Sequence, residues 1–304
     1  MIKKNKRLLS FSLSVITLLL CIKPLMATVY ELGNVKKRLI GQEKIHTVVK
    51  GDYFQQLAEQ YDVGFLALLA ANPKQDPFLL KIGEAVVIPQ QMLLPFITRE
   101  GIVINLPELR LYYFSPEEKT VHVFPVGIGR QGLNTPLTST FISEKREDPI
   151  WRPTQAMQAR HFAENGKYLP KEVLAGPNNP FGKYALRLGR SEYLIHGSNQ
   201  RFGIGMRASS GCIRMYDNDI KWLFNNIPLN TKVRIINQPV KMSYENGDSR
   251  LIEIHQPLAD LEATKNNVIL SKAVQRFVGT ERKHWQQLSP IIDKPNGLVL
   301  ELVN

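Results

Sequence analysis

Cysteine is nearly absent from this 304-residue chain, which has two, Cys21 and Cys212. That excludes a disulfide framework and a thiolate metal cluster as sources of stability. No stretch reaches the roughly 20 apolar residues that span a bilayer; Leu8 to Ile22 offers about 15. The first 27 residues contain no Asp or Glu. Gly127-Ile128-Gly129 and Gly203-Ile204-Gly205 are too short for a phosphate-binding loop and lack its following helix, so they read as loop glycines. His46, His122, His161, His255 and His284 show no ligand-like spacing with one another or with Cys212. They read as surface or packing histidines, and neither a metal nor a cofactor is expected.

What the amino terminus does have is Lys3, Lys4, Lys6 and Arg7 ahead of the apolar stretch, then Pro24-Leu25-Met26-Ala27. This is the pattern of a secretory signal over residues 1–27, with Ala27 as the small residue before cleavage at Thr28 and Leu25 a mediocre partner two positions earlier. A retained anchor helix is the alternative. Leu20 is bulky where a lipoprotein signal wants a small residue, so Cys21 leaves with the leader and Cys212 becomes the lone thiol. An unpaired cysteine in an oxidising compartment points to reactivity or to a partner.

Five of the 39 basic residues lie in the leader, leaving 34 against 27 acidic ones, a net charge of +7. That suits either a solvated surface or attraction to anionic wall and membrane-surface polymers, and export disfavours nucleic acid. The remaining length of about 277 residues, in a chain of 43% apolar content overall, predicts two or three domains.

Residues 45–90 form a compact pattern of strand, helix, helix, strand. Phe54, Leu57, Ala58 and Tyr61 share a helical face behind the Gly51-Asp52 turn; Leu66, Leu69 and Ala70 do so before Asn72-Pro73 stops the second helix. With Val49-Lys50-Gly51-Asp52 and the closing Gly83 and Ile88-Pro89, the segment resembles a LysM module, although Tyr53-Phe54 stands where Thr-Leu is usual. That resemblance implies binding to the glycan of peptidoglycan; a spacer domain is the alternative.

Met92-Leu93-Leu94-Pro95 reads as a linker, after which strands dominate. Ile102 to Asn105, Leu109 to Phe114 and Val121 to Val126 predict an antiparallel sheet, joined by Tyr184 to Leu188, Leu194 to His196 and Val233 to Ile236. A helix follows Cys212, capped by Asp217 or Asn218, with Ile220, Leu223, Phe224 and Ile227 on one face. The tail, 241–304, mixes a strand over Arg250 to His255 with helix-like Ala273 to Val278 and Trp285 to Leu288.

Cys212 lies in Ser209-Ser210-Gly211-Cys212-Ile213-Arg214, sixteen residues beyond His196. A free thiol titrates near pH 8.5, and a hydrogen-bonded imidazole lowers that value, which makes His196 its natural activator. Gly211 would admit substrate to the backbone, and the N–H groups of Gly211 and Cys212 would form an oxyanion hole, with Ser209 and Ser210 as further donors. Arg214, on the same side of a strand as Cys212, suits a carboxylate clamp. Trp151 and Phe181 line a groove or pack in the core. Taken alone, the Cys/His pair reads as readily as a buried small residue and a core histidine.

The stretches Ile195-His196-Gly197-Ser198-Asn199 and Ser209-Ser210-Gly211-Cys212-Ile213-Arg214-Met215 resemble the active-site sequence of L,D-transpeptidases with a YkuD-type catalytic domain. Thr135-Pro136, Trp151-Arg152-Pro153-Thr154 and Ala175-Gly176-Pro177-Asn178-Asn179-Pro180 extend the likeness over residues 98–238, most closely to the ErfK/YbiS-like group that attaches Braun-type lipoprotein. The resemblance implies a β-rich multidomain protein: a mainly β catalytic domain, the small βααβ module and a short α/β carboxy-terminal domain. It also implies Cys212 as nucleophile, His196 as proton donor and acceptor, the Gly197 carbonyl as its orienting group, and Arg214 at the motif's substrate-binding or structural arginine position; Ser209, Ser210 and Trp151 are further candidate substrate contacts. Ser210 stands where the motif commonly has histidine. The implied reaction is acyl transfer in the periplasm, without cofactor, from the diaminopimelate of a tetrapeptide stem. A lipoprotein lysine is the preferred acceptor; a neighbouring stem, giving 3-3 cross-links, or water, giving L,D-carboxypeptidase activity, are alternatives. A non-catalytic peptidoglycan-binding protein is the reading of another class. A papain-like protease fits less well, because its nucleophile precedes its histidine in the chain.

Overall fold

The structure, a computed structural model, describes residues 28–258 and 268–303; the leader, Cys21 and part of the tail lie outside them. Its centre is a nine-stranded sheet. In spatial order the strands are Thr28–Glu31, Thr120–Pro125, Arg110–Phe114, Gly101–Asn105, Lys232–Ile236, Thr138–Glu147, Tyr184–Leu188, Leu194–His196 and Ile213–Arg214. Alternate side chains point to opposite faces, and both faces are covered at the centre. Ile102, Ile104, Leu111, Tyr113 and Phe124 build one core; Val103, Tyr112, Phe114 and Val123 build the second on the reverse side.

The sheet is mixed rather than antiparallel. Lys232–Ile236 runs parallel to Gly101–Asn105, and Ile213–Arg214 parallel to Leu194–His196. Each parallel return requires a crossover, which the β-propensity of the individual strands does not disclose. Met92-Leu93-Leu94 is not a loose linker either: Met92–Leu93 pairs with Leu39–Ile40, all three residues are buried, and Met92 and Leu94 belong to the second core. The helix after the cysteine, Asp217–Asn226, has Tyr216 as N-cap. Asp217 lies inside its first turn, and its Oδ1 accepts from Ser198 N at 3.4 Å.

The βααβ unit consists of Lys44–Thr47, Phe54–Gln60, Phe65–Ala71 and Ala85–Ile88 around Phe54, Leu57, Leu68 and Val86. It docks on the sheet domain through Leu66 N to Gly205 O at 3.1 Å and Gln55 Nε2 to Tyr216 Oη at 3.3 Å. Gly205 has φ 69°, and a Cβ there would stand 2.3 Å from Gly64 Cα, so glycine is required for this approach. The carboxy-terminal unit is a three-stranded sheet, Val240–Tyr244, Arg250–Ile254 and Val299–Leu302, packed against helices Lys272–Val278 and Arg282–Asp293.

A buried ionic cluster ties these parts together. Lys241 Nζ lies 2.8 Å from Glu108 Oε2 and 3.0 Å from Glu253 Oε2; Arg110 Nη1 lies 3.2 Å from Glu108 Oε2 and 3.1 Å from Glu253 Oε1. His255 Nε2 meets Glu253 Oε1 at 2.6 Å, and Tyr112 Oη donates to Glu108. Burial alone would raise the Glu253 carboxyl, but Lys241, His255 and Arg110 override it and hold the group well below the usual range. Glu108, Glu253 and His255 converge closely enough to hold a metal, a grouping invisible in their spacing, yet the ammonium and guanidinium already satisfy these oxygens. Lys241→Met removes one of the cluster's cations and should cost about 3–5 kcal/mol in urea unfolding. Pairing it with Glu108→Gln should restore part of that loss, and a loss under about 1 kcal/mol for the single variant would contradict a structural role for the cluster.

Candidate active site

Leu194–His196 pairs antiparallel with Tyr184–Leu188 on one side and parallel with Ile213–Arg214 on the other. The parallel register sets Ile195 against Ile213 and His196 against Arg214, so Cys212, one residue before the strand, shares a face with Leu194, His196 and Arg214. Met215 N donates to His196 O at 2.9 Å, and Gly127 and Arg214 exchange two backbone hydrogen bonds of 2.8 Å. The short pairing is therefore held from both sides.

His196 is buried, and its Nδ1–H donates to the Gly197 carbonyl at 2.5 Å, which leaves Nε2 as the lone-pair nitrogen. Phe181 packs edge-on at 4.8 Å. Burial drives the imidazole down to about 3, the Gly197 bond opposes this, and the Arg214 charge lowers it further. Burial also pushes the Cys212 thiol up, against the lowering by the Leu194 N–H and Arg214. The expected lowering of the thiol by imidazole is thus reversed, because desolvation of both groups dominates. Both shifts favour the uncharged forms of the thiol and the imidazole, which line the same cavity.

The loop before Cys212 is fixed by its own polar groups. Gly211 N donates to Ser209 Oγ at 3.1 Å, Ser209 Oγ donates to Cys212 O at 2.5 Å, and Thr135 Oγ1 donates to Gly211 O at 2.8 Å. Two expectations change here. The Gly211 N–H is engaged by Ser209 Oγ rather than open to an oxyanion, and Ser209, though buried and bonded within the loop, still lines the second cavity. The reason for glycine at 211 also differs: φ is 111°, and a Cβ would meet Tyr193 Cε1 at 2.7 Å. Ser210 is exposed and takes a bond from Arg160 Nη2 at 3.3 Å.

Two cavities meet at Cys212. One, about 240 Å³, is lined by Arg146, Arg152, Glu144, Glu192 and Leu194; the other, about 430 Å³, by His196, Arg214, Ser210, Arg160 and His161. Trp151 and Phe181 line both. Arg214 Nη1 donates to Gln200 Oε1 at 3.2 Å, while its buried Nε has no partner among the described residues. His161, read as a surface or packing histidine, lines the second cavity from the helix Gln155–Asn165. That helix was not legible because none of its residues is buried.

A thiol where two clefts meet, with an oriented base and a guanidinium lining one of them, can carry out acyl transfer through a covalent thioester. Comparison with known proteins agrees with that class. Residues 99–235 match the L,D-transpeptidase catalytic domain, 239–301 the L,D-transpeptidase C-terminal domain and 46–89 the LysM domain. The chain is 43% identical over 287 residues to the probable L,D-transpeptidase YcfS of Escherichia coli, covering 92% of this chain and 89% of the relative. It is 45% identical to the probable L,D-transpeptidase ErfK/SrfK of the same species, covering 91% of each. Among solved structures, the Ldtfm–avibactam carbamoyl enzyme matches at 21% identity and TM-score 0.37, over 47% of this chain and 51% of that one. The protein belongs to the L,D-transpeptidase family and is an enzyme of that class.

Because the thiol is raised and the imidazole lowered, alkylation of Cys212 by iodoacetamide should be slow at pH 7 and climb through pH 9, with His196 neutral throughout. A plateau of high reactivity between pH 4 and 8 would instead reveal a resting thiolate–imidazolium pair. Gly211→Ala should lose transpeptidase activity at least 100-fold in a stem-peptide assay, an order of magnitude typical of misplacing a reacting group. Near-normal turnover would show that the Tyr193 contact does not fix the loop.

Proposed function

We propose that Cys212 is the nucleophile of a periplasmic L,D-transpeptidase that acts on peptidoglycan tetrapeptide stems. The observation that supports this most directly is that Cys212 opens to both cavities, with His196 lining one of them. Sγ attacks the carbonyl of diaminopimelate as its proton passes to His196 Nε2. The scissile C–N bond then breaks, and the imidazolium, a strong acid in its buried site, protonates the departing D-alanine amine. In the second half an acceptor amine attacks the thioester, gives a proton to His196, and expels the thiolate, which recovers it. Concerted transfer is required because a resting ion pair is disfavoured by burial.

Cys212 N–H is the donor assigned to the oxyanion; Gly211 N–H joins it only if Ser209 Oγ rotates away. Arg214, with its free Nε, and Trp151 contact the stem, and Ser210 does so together with Arg160. The basic surface of the mature chain and the LysM module supply attraction to the wall. No described helix is long and apolar enough to cross a membrane. The preferred acceptor is a lipoprotein lysine, tethering the outer membrane; a second stem or water remain outcomes of the test.

Mass spectrometry of the mature protein with a disaccharide-tetrapeptide and a lysine-bearing lipoprotein carboxy-terminal peptide distinguishes them. A stem–lipoprotein adduct supports attachment, a stem dimer supports cross-linking, and a tripeptide alone supports carboxypeptidase action. Binding to sacculi with none of these products would favour the non-catalytic reading. Removing residues 45–89 should weaken sacculus binding more than turnover of small soluble stems; equal pelleting with and without the module would remove its role. A carbapenem should add its mass to Cys212, and an unmodified intact mass would argue against an accessible nucleophile.

A further inference from the structure

Where the first strand, the βααβ unit and the helix after Cys212 meet, two carboxyl groups are buried side by side. Asp62 occupies the turn between the helices Phe54–Gln60 and Phe65–Ala71, with φ 52°. Asp219 lies in the first turn of Asp217–Asn226 and is 3% exposed. Asp62 Oδ2 accepts from Thr28 N at 3.2 Å. Asp62 Oδ1 and Asp219 Oδ2 are sealed from solvent and have no partner among the described residues.

No basic side chain of the described residues lies against either carboxyl. The remaining charged neighbour, Glu59, has the same sign and is paired with Arg201 at 2.5 Å. Tyr216 and Tyr30 are the other titratable groups nearby, and burial raises both hydroxyls. Two adjacent carboxylates away from water must hold a proton or find a cation. Burial first, then the Thr28 and Asp219 bonds that oppose it, leave Asp62 at about 7; Asp219 is raised by burial and then by Asp62.

The atom that reaches this pair is the backbone nitrogen of Thr28, the residue that follows the cleavage site read from the sequence. Hydrolysis of the Ala27–Thr28 bond by a leader endopeptidase adds water across it: hydroxyl to the Ala27 carbonyl, protons to the Thr28 nitrogen. An amide N–H with one donor becomes an α-ammonium with three donors and a full charge, without moving the chain. We infer that the Asp62–Asp219 pair is a site for the chain's own processed amino terminus, so that leader removal locks the LysM module onto the catalytic domain. The inference rests on the export reading proposed above. Two independent features agree: the cleavage pattern in the leader, and the position of this nitrogen in the fold.

The test compares full-length chains beginning at Thr28 with a free amine, the same chain α-acetylated, and the free-amine Asp62→Asn/Asp219→Asn variant, by Tm from pH 4 to 10. Acetylation restores the carbonyl of Ala27 without the charge. With a free amine, the pair raises the amine above its ordinary value of about 8, so its stabilisation is full below that pH and lost as pH rises through the raised value. The acetylated chain has only raised carboxyls, so its Tm should fall as pH rises from about 4 through about 7. At pH 7.5 the free-amine chain should melt several degrees higher and resist proteolytic separation of the module. The double variant should lose both pH limbs and be indifferent to acetylation. Superimposable Tm profiles for free-amine and acetylated chains overturn the inference, even if the double variant does not fold. Amino-terminal sequencing separates the two claims: an exported protein starting elsewhere than Thr28 overturns this site alone, whereas a protein that is not exported overturns the reading beneath it.

Discussion

The active site depends on a parallel pairing two residues long. Ile195 opposite Ile213 and His196 opposite Arg214 bring two stretches, far apart in sequence, to one sheet edge and place thiol and base on one face. So short a pairing has little stability of its own, since a strand gains most from neighbours on both sides. Its support comes from the antiparallel Tyr184–Leu188 strand, from the double backbone exchange between Gly127 and Arg214, and from the helix Asp217–Asn226, whose Asp217 anchors Ser198. Desolvation at this edge also raises the Cys212 thiol and lowers the His196 imidazole, and the mechanism proposed above has to work from that pair of shifts.

Around that edge the modules act as braces. The βααβ unit grips the 201–206 loop through Gly205 and Arg201, and the same loop region presents Gln200 to Arg214. At the opposite end of the sheet, Glu108, Arg110, Lys241 and Glu253 form a dry ionic knot that also holds the backbone of Leu93 and Pro89. A knot of this kind adds little net stability over an apolar core but fixes one arrangement of the units, because any slip leaves a buried charge unpaired.

Much of this was legible in the sequence where burial wrote a clear period. The strands Tyr184–Leu188 and Leu194–His196 follow from short apolar runs, and both helices of the βααβ unit from i, i+3, i+4 spacing. The ten-residue strand Thr138–Glu147 did not, because its sequence is Ser-, Thr- and charge-rich and only Ile142 is buried. The helix Gln155–Asn165 likewise has no fully buried residue, and its position over the cleft, with His161, is a tertiary fact. At the site, residue types singled out Cys212, His196 and Arg214, which the parallel pairing brings to one sheet edge, but not their electrostatics. Burial depends on what folds over a residue, so the rise of the thiol and the internal use of the Gly211 N–H appear only in three dimensions.

The account stands or falls on a thioester at Cys212. Rapid acid quenching of the mature enzyme during turnover of a disaccharide-tetrapeptide, followed by peptide mapping, tests it directly. The account predicts an adduct on the peptide containing Cys212 with the mass of the stem less D-alanine, absent from Cys212→Ala. Release of D-alanine by that variant, or an adduct carried on another residue, would contradict it.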